Sequence, residues 1–229
     1  ERHWNTMKLT TAAALKRSFL RQDPFRRAFL SRFGRVDRQV WNGEHPALSQ
    51  LVAELRPQVV LDVGVWKGQS TMTLARALRQ QRIDGAVVSI DTWLGSPEHW
   101  NPERDEFGLS ELRLKNGYPQ LFQVFRRNVI RSGLQSYVVP MPQTSLNAAE
   151  ILRRSGVTAQ LIHIDAAHDY DNVLADCRAF WPLLDRGGVL IGDDYADNWP
   201  GVKKAANEFV EEVGASLDVD FPKWIVRKS

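Results

Sequence analysis

From residue 59 onward, short apolar runs alternate with longer segments of helical periodicity, and this alternation restricts the possible folds more than any other feature. The apolar runs are Val59–Val63, Ala86–Ile90, Tyr137–Val139, Ala159–Ile164 and Gly188–Ile191. The helical segments between them are Ser70–Gln80, Pro119–Ser132, Ser145–Arg154 and Asp169–Leu184. Strands that alternate with helices form parallel sheets through right-handed crossovers. The sequence therefore predicts an α/β fold in which helices cover both faces of a parallel sheet.

The C-terminal end of the chain departs from this alternation. A predicted helix, Val202–Val213, is followed by two short apolar runs, Leu217–Phe221 and Trp224–Val226, with only a Pro-Lys pair between them. Two runs this close together are typical of a β-hairpin. We expect the hairpin to close one edge of the sheet.

The first 45 residues are rich in arginine and form a separate segment in our prediction. We assign 1–45 to an N-terminal helical arm and 46–229, which begins with a predicted helix at Pro46–Arg56, to one domain. Apolar residues interleave with the basic ones, which are Lys16, Arg17, Arg21, Arg26, Arg27, Arg32, Arg35 and Arg38. This pattern predicts amphipathic helices interrupted near Pro24. One interpretation is a surface for nucleic acid or an anionic membrane. The other, which we favour, is a helical cap, or an arm that joins copies into a homo-oligomer, with a solvated basic face.

Composition argues against several classes of protein. No apolar run approaches the roughly 18 to 20 residues that span a bilayer. The short apolar stretch Thr10–Leu15 is followed at once by charge, so we expect neither a signal peptide nor a membrane span. A single cysteine excludes an internal disulfide and fits a cytoplasmic location. That residue, Cys177, is expected to be buried filler in a helix.

The residues that follow each strand carry the functional prediction, because ligands of such sheets bind outside the carboxyl ends of the strands. After the first strand, Gly64 and Gly68 permit a tight turn close to a ligand. Trp66 and Lys67 occupy positions where a dinucleotide-binding turn needs small residues, and Gln69 stands where a P-loop has lysine. The acidic Asp62 beside this turn suits a cationic ligand. The next helix begins at about Ser70, which we include in the binding site.

The second and third strands end in residues suited to a nucleoside. Asp91 follows the second strand, where an acidic side chain can accept both hydroxyl groups of a ribose. Thr144 and Ser145 follow the third strand and can bind an adenine edge or cap the next helix. The sequence alone leaves both roles open.

The fourth and fifth strands end in acidic residues that should meet at one rim. Asp165 follows the fourth strand, and Asp193 and Asp194 follow the fifth. Three carboxylates would repel one another unless a cation lay between them, and carboxylate oxygens favour Mg²⁺, Mn²⁺ or Ca²⁺. His168 is close enough in sequence to take a proton from a metal-bound hydroxyl. We interpret Asp169 as a helix N-cap and His163 as a satisfied core residue.

A long segment without clear periodicity joins the second strand to the Pro119 helix, and such segments are often lids over a site. It contains Trp93, His99 and Trp100, and a later loop contains Trp199. These four residues are our candidates for contacts with a substrate.

Four segments, DVGVWKGQS, SIDTW, LIHIDAAHDYDNVLAD and LLDRGGVLIGDDY, follow one another in this order. Together they resemble the class I S-adenosylmethionine-dependent methyltransferases. Within these the chain is similar to the metal-dependent small-molecule O-methyltransferases, which include the catechol-type enzymes and those that methylate macrolide sugars. The resemblance implies a Rossmann-like, mostly parallel sheet with a closing antiparallel hairpin. It also implies a small hydroxylated acceptor, such as a sugar or a polyketide-type natural product.

The resemblance assigns roles to the residues at the strand ends. Gly64, Gly68 and Asp91 would bind S-adenosylmethionine, with Asp62 near its amino acid end. The implied ligands of Mg²⁺ or Mn²⁺ are Asp165, Asp193 and Asp194. His168 matches the catalytic base, which is lysine in the catechol-type enzymes; those enzymes also have Asn in place of Asp194, so the sugar-modifying pattern fits better.

Two alternatives remain at this point. The same fold could serve a nucleotide-dependent oxidoreductase or hydroxylase, although Trp66 and Lys67 disfavour a pyrophosphate turn. The chain could also be a non-catalytic or RNA-associated S-adenosylmethionine-binding module that uses the basic arm. We regard nucleic acid as an improbable partner, since the net charge is only +3.

Overall fold

The computed structural model describes residues 9–26, 36–37, 39, 41–101, 103 and 108–229. Its α-helices are α1 (Ala12–Leu20), α2 (Pro46–Leu55), α3 (Gln69–Gln80), α4 (Leu109–Leu112), α5 (Leu121–Arg131), α6 (Ser145–Arg154), α7 (Tyr170–Phe180) and α8 (Pro200–Val213). Its strands are β1 (Val59–Val63), β2 (Ala86–Asp91), β3 (Val138–Pro142), β4 (Ala159–Ile164), β5 (Leu184–Gly192), β6 (Leu217–Asp220) and β7 (Lys223–Arg227). Short 3₁₀ helices cover Trp41–Glu44, Pro97–Trp100 and Trp181–Leu183.

The strands form one seven-stranded sheet in the order β3-β2-β1-β4-β5-β7-β6. Strands β1 to β5 pair in parallel, whereas β7 is antiparallel to both β5 and β6. The predicted parallel sheet and its closing hairpin are therefore confirmed. The strand order reverses between β1 and β4, which is the place where sheets of this kind bind ligands.

Helices cover both faces of the sheet, and the side chains of β1 therefore alternate between two cores. Val59, Leu61 and Val63 pack in the core that includes α6, α7 and α8, whereas Val60 packs in the core with α2, α3 and α5. A strand buried on both faces has apolar residues at nearly every position, which is why these runs were recognisable. Cys177 lies in the first core and is fully buried, as predicted.

The described part of the arginine-rich arm packs on the sheet. Leu15 of α1 is fully buried in the same core as α6, and α1 contacts β3. Helix α1 ends at Leu20, which agrees with the predicted interruption near Pro24. Most of the arginines of the predicted arm, at positions 27, 32, 35 and 38, lie outside the described residues. In the described part of the chain, no helix has the length and apolar character required to cross a bilayer.

Among the element boundaries that differ from the prediction, two have a clear physical reason. Helix α7 stops at Phe180 rather than at Leu184, and a 3₁₀ turn continues from it. Pro182 lacks the amide hydrogen that an α-helix needs at that position. Strand β5 begins at Leu184 rather than at Gly188, so it includes the polar stretch Asp185–Gly187, which carries no apolar signal.

Candidate active site

A cavity of about 900 Å³ opens at the carboxyl ends of the parallel strands. Each of the five parallel strands contributes to its wall, through Gly64, Asp91, Gln143, Asp165 and Asp193 in the order β1 to β5. The cavity therefore lies at the predicted edge of the sheet, across the point where the strand order reverses. Large concave sites with a few polar groups are the usual binding sites of enzymes.

The turn after β1 requires both of its glycines. Gly64 has a φ of +82°, and a Cβ atom there would lie 2.0 Å from the carbonyl oxygen of Asp165. Gly68 has a φ of +94°, and a Cβ atom there would lie 2.7 Å from the ring of Phe125. Residues with a Cβ atom avoid these φ values, and neither position has space for a Cβ atom. Only glycine fits at both positions, so the backbone of the turn is uncovered at the cavity wall.

Asp91 holds the shape of this turn from the neighbouring strand. Its Oδ2 accepts hydrogen bonds from the backbone N–H groups of Val65 at 2.9 Å and Trp66 at 2.7 Å. Its Oδ1 accepts from the N–H of Trp93 at 2.6 Å. Burial raises the pKa of Asp91, and these three backbone bonds oppose the shift. A carboxylate accepts about four hydrogen bonds, so Asp91, which lines the cavity, keeps the capacity to bind a ligand hydroxyl.

Asp62 lies beneath the turn rather than in the cavity. It is fully buried, and its Oδ2 accepts hydrogen bonds from Ser70 Oγ at 3.0 Å and Thr71 Oγ1 at 2.5 Å. Its Oδ1 lies 2.8 Å from His163 Nδ1. The structure thus departs from the expectation of a direct ligand contact for Asp62, because its position on β1 points the side chain into the α3 side of the sheet. Ser70 does line the cavity, with its hydroxyl fixed by Asp62.

A buried chain of polar groups connects Asp62 to the acidic rim. Lys223 is fully buried, and its Nζ donates to His163 Nε2 at 3.0 Å and to Asp193 Oδ2 at 2.6 Å. Because an ammonium can only donate, His163 Nε2 accepts and its Nδ1–H donates to Asp62. His163 is therefore a satisfied core residue, as predicted.

The sequence analysis missed Lys223. A lysine in the turn of a hairpin is normally solvent-exposed, so nothing in the sequence marked it as buried. Its ammonium neutralises Asp193, which is itself buried and accepts a second hydrogen bond, at 2.8 Å, from the N–H of Asp194. Buried carboxylates are stable only when they are paired in this way.

The other acidic side chains of the rim face the cavity together with His168. Asp194 Oδ2 lies 3.0 Å from His168 Nε2, and Asp165 Oδ1 lies 4.0 Å from the same atom. One ligand atom from each of Asp165, His168 and Asp194 falls within 4.8 Å of the others. Burial and the nearby Asp193 carboxylate raise the pKa of Asp165 well above its usual value. The carboxylates of Asp165 and Asp194 fit a hard divalent cation, which would offset their mutual repulsion.

Aromatic rings form the outer part of the cavity. His99 stacks on Trp66 with ring centroids 4.1 Å apart, and His168 stacks on Trp199 at 4.3 Å. Trp41 lies beside Trp66 at 6.3 Å. All five rings line the cavity. His99 and Trp199 are thus where the sequence placed them, whereas Trp41 and Trp66 were not predicted to contact the acceptor.

The other two predicted acceptor residues do not line the cavity. Trp93 is 2% exposed and packs between Phe122 and Phe125, with its Nε1 donating to the carbonyl of Trp66 at 2.9 Å. Trp93 thus stabilises the turn after β1 through this hydrogen bond and does not contact the cavity. Trp100 is directed to the surface, where its Nε1 donates to the carbonyl of Leu94. A loop has no periodicity from which the direction of a side chain could be inferred.

Thr144 and Ser145 lie at the opposite end of the cavity from the acidic rim, after β3. Thr144 caps α6 by accepting a hydrogen bond from the N–H of Asn147 at 3.3 Å, and both residues line the cavity. Asp169 caps α7 through the N–H of Asn172, as predicted. Capping and ligand contact are therefore compatible for Thr144.

Comparison with known proteins agrees with this geometry. The family model described as a methyltransferase domain matches residues 61–195, which is more than half of the 229 residues. The match includes the glycine turn and all three acidic residues of the rim. No curated protein sequence matches this chain significantly.

Several solved structures share the fold over nearly the whole chain. An O-methyltransferase from Bacillus cereus in complex with SAH is 18% identical, with a TM-score of 0.57 over 99% of this chain and 94% of that one. The O-methyltransferase NovP is 18% identical, with a TM-score of 0.61 over 95% and 98%. The calicheamicin methyltransferase CalS11 is 17% identical, with a TM-score of 0.54 over 99% and 94%. At such identities the similarity concerns the fold.

Proposed function

Because the chain belongs to the methyltransferase domain family, we propose that it is an S-adenosylmethionine-dependent O-methyltransferase that uses Mg²⁺ or Mn²⁺. One observation carries this proposal: the glycine turn with its Asp91 support and the rim of Asp165, His168 and Asp194 open into the same cavity. The first feature suits a nucleoside with an amino acid tail, and the second suits a hydroxyl group about to lose its proton. The O-methyltransferases among the similar structures support the same reaction.

The cofactor would lie along the ends of β1, β2 and β3. Asp91 would accept a ribose hydroxyl, and the backbone at Gly64 and Gly68 would contact the amino acid portion. Thr144 and Ser145 would border the adenine. Asp62 acts indirectly in this assignment, because it fixes Ser70 and the start of α3 rather than touching the ligand.

The metal would be held by Asp165 and Asp194, with Asp193 contributing through the lone pairs that its own partners leave free. Three carboxylates and the Lys223 ammonium carry a combined charge of −2, which one divalent cation neutralises. Lys223 thus offsets one of the three negative charges of the acidic rim and leaves two, which equal the charge of a single divalent ion. Oxygen ligands of this kind favour Mg²⁺ or Mn²⁺.

The mechanism assigns the proton transfer to His168. When bound, S-adenosylmethionine supplies a methyl group on a sulfonium, and a divalent cation supplies Lewis-acid stabilisation of the acceptor oxygen. Nε2 of His168 lies 3.0 Å from Asp194 Oδ2 and donates to it, so the other ring nitrogen of His168 would accept the proton of the acceptor hydroxyl, and the Asp194 carboxylate would stabilise the resulting imidazolium. Trp199 holds the plane of the imidazole by stacking on it. The remaining aromatic rings exclude water from the reacting atoms.

We propose a sugar or planar ring of a natural product as the acceptor. The faces of Trp41, Trp66 and Trp199 offer flat apolar surfaces, and Glu98 and His99 add polar groups to the same wall. Such surfaces bind sugar and aromatic rings alike. The similarity to CalS11, a methyltransferase of calicheamicin, is consistent with this class.

Calorimetric titration tests the proposal. S-adenosylhomocysteine is titrated into the metal-free protein, and Mg²⁺ is titrated into the wild type, Asp165→Asn and Asp171→Asn. Asp171 is an exposed carboxylate of α7 outside the cavity and provides the matched control. We expect micromolar binding of S-adenosylhomocysteine and loss of Mg²⁺ binding in Asp165→Asn only. Failure of the wild type to bind either ligand would refute the proposed function and direct attention to the basic arm.

A further inference from the structure

One buried carboxylate of the cavity has no role in the mechanism above. Asp176 lies on the second turn of α7, is 3% exposed and lines the cavity. Helices α6 and α7 pack against each other, so this side chain meets the start of α6. There the Asp176 carboxylate lies beside the hydroxyl of Ser145.

This carboxylate is poorly compensated for a buried acid. Burial raises its pKa to about 6, the Ser145 hydrogen bond opposes the shift, and the charge of Asp169 adds to it. In the part of the chain that the structure describes, no cation contributes to this balance. A single hydroxyl leaves most of the lone pairs of a carboxylate unused. Protein interiors seldom keep such a group unless a ligand uses it.

The order of the strands shows which part of a ligand would meet Asp176. The acidic rim is at the ends of β4 and β5, the glycine turn is at β1, and Asp91 is at β2. A nucleoside whose ribose lies at Asp91 and whose sulfur faces the rim must place its base toward the end of β3. This end of the cavity is bordered by Gln143, Thr144 and Ser145, and Asp176 faces it from α7.

We propose that Asp176 accepts a hydrogen bond from the exocyclic amino group of the adenine and makes the cavity selective for adenosine over inosine ligands. The inference rests on the proposed function, because it takes the bound nucleoside to be that of S-adenosylmethionine. The amino group is the only N–H donor of the adenine base in a nucleoside. Hypoxanthine has a carbonyl oxygen at that position, with which a carboxylate cannot pair, and its own N–H lies one ring position away at N1.

A purely structural role is the competing explanation. Asp176 is near the first turn of α6, where backbone N–H groups favour a negative charge, so it could simply stabilise that helix end. Such a role would influence every nucleoside ligand equally. Discrimination between two ligands that differ only at the C6–N1 edge of the base therefore separates the two explanations.

The experiment compares S-adenosylhomocysteine with S-inosylhomocysteine, in which a carbonyl oxygen replaces the amino group. Both are titrated calorimetrically into the wild type, Asp176→Asn and the exposed control Asp171→Asn. Asparagine has the size of aspartate, can still accept from Ser145, and can donate to a carbonyl oxygen. We expect the wild type and the control to bind the adenosyl ligand at least tenfold more tightly. In Asp176→Asn we expect about 10- to 100-fold weaker adenosyl binding and little change for the inosyl ligand.

The outcomes separate this inference from the function on which it rests. Equal affinities of the wild type for the two ligands, or an equal loss of both in Asp176→Asn, would overturn the inference and leave the methyltransferase proposal intact. Absence of S-adenosylhomocysteine binding by the wild type would overturn both. The comparison of ligands on the unaltered protein does not depend on the folding of any variant.

Discussion

Replacing Asp176 by Asn is expected to make the ligand-free protein more stable at neutral pH. The pKa of Asp176 is raised from 3.8 to about 6 in the folded protein, chiefly by burial. One pKa unit corresponds to about 1.4 kcal/mol. The ionised carboxylate therefore lowers the free energy of unfolding by about 3 kcal/mol above pH 6.

The pH dependence has a defined sign. A raised pKa in the folded state means that the protonated form is the one that folding favours. The stabilising contribution of Asp176 is complete below pH 3.8, and it is lost as the pH rises through about 6. The advantage of Asp176→Asn should thus be largest at pH 8 and disappear toward pH 4.

Urea denaturation followed by tryptophan fluorescence measures this advantage. Unfolding free energies of the wild type, Asp176→Asn and Asp171→Asn are compared at pH 8, 6 and 4.5. Because all carboxylates other than that of Asp176 are common to the wild type and Asp176→Asn, their titration cancels in the difference, and Asp171→Asn shows the effect of removing an exposed carboxylate. A variant that is no more stable than the wild type at pH 8, or whose advantage persists at low pH, would refute the reasoning. A residue that lowers stability while tightening ligand binding is retained for the ligand.

Three further perturbations follow from the site. Replacing His168 by Ala should lower turnover by about 10²- to 10⁴-fold, and calorimetry should show unchanged S-adenosylhomocysteine affinity; a matching loss of affinity would contradict its role as a base. Replacing Lys223 by Met should reduce the unfolding free energy in urea by about 3–5 kcal/mol, because it leaves buried charge unpaired. The control is Arg227, whose ion pair with Glu54 is half-exposed; replacing it should lower the unfolding free energy by at most about 1 kcal/mol. Equal losses for the Lys223 and Arg227 variants would refute the claim that only the Lys223 ion pair is buried. Replacing Gly64 by Ala should abolish S-adenosylhomocysteine binding, since its Cβ would lie 2.0 Å from a carbonyl oxygen, whereas Gly156→Ala, with no atom within 4 Å of its Cβ, should preserve binding measured in the same titration.

The sequence was most informative where burial leaves a continuous apolar run. The predicted bounds of β1 and β4 match the structure, and so do those of α6, whose N-cap Thr144 stands directly before it. The third strand was predicted too short because its second half, which ends in Met141 and Pro142, contains two prolines. Proline is unusual within a strand, so residue propensities do not indicate a strand in a segment that contains two prolines.

The functional positions were predictable to the extent that topology determines them. Parallel strands bring their carboxyl ends to one edge, so Asp91, Asp165 and Asp194 could be placed together without any structure. Topology alone does not determine the direction in which a side chain points. Asp62 shares a face of β1 with Val60, so the two-residue period of a strand could have indicated that it points into a core. Trp66 lies in a turn and gave no such indication. Lys223 gave none either, because the sequence predicted it to lie between the two strands of the hairpin, whereas it is the first residue of β7.

The acidic residues in and beneath this cavity differ in how far the protein itself satisfies them, and that difference separates support from function. Asp62 is bound by two hydroxyls and an imidazole, and Asp193 is bound by Lys223 and a backbone amide. These carboxylates need no ligand to be stable where they are. Asp165 and Asp176 have raised pKa values because burial is only partly compensated. A cation at one end of the cavity and an amino group at the other would complete both sites, so the uncompensated carboxylates mark the two ends of the proposed ligand path.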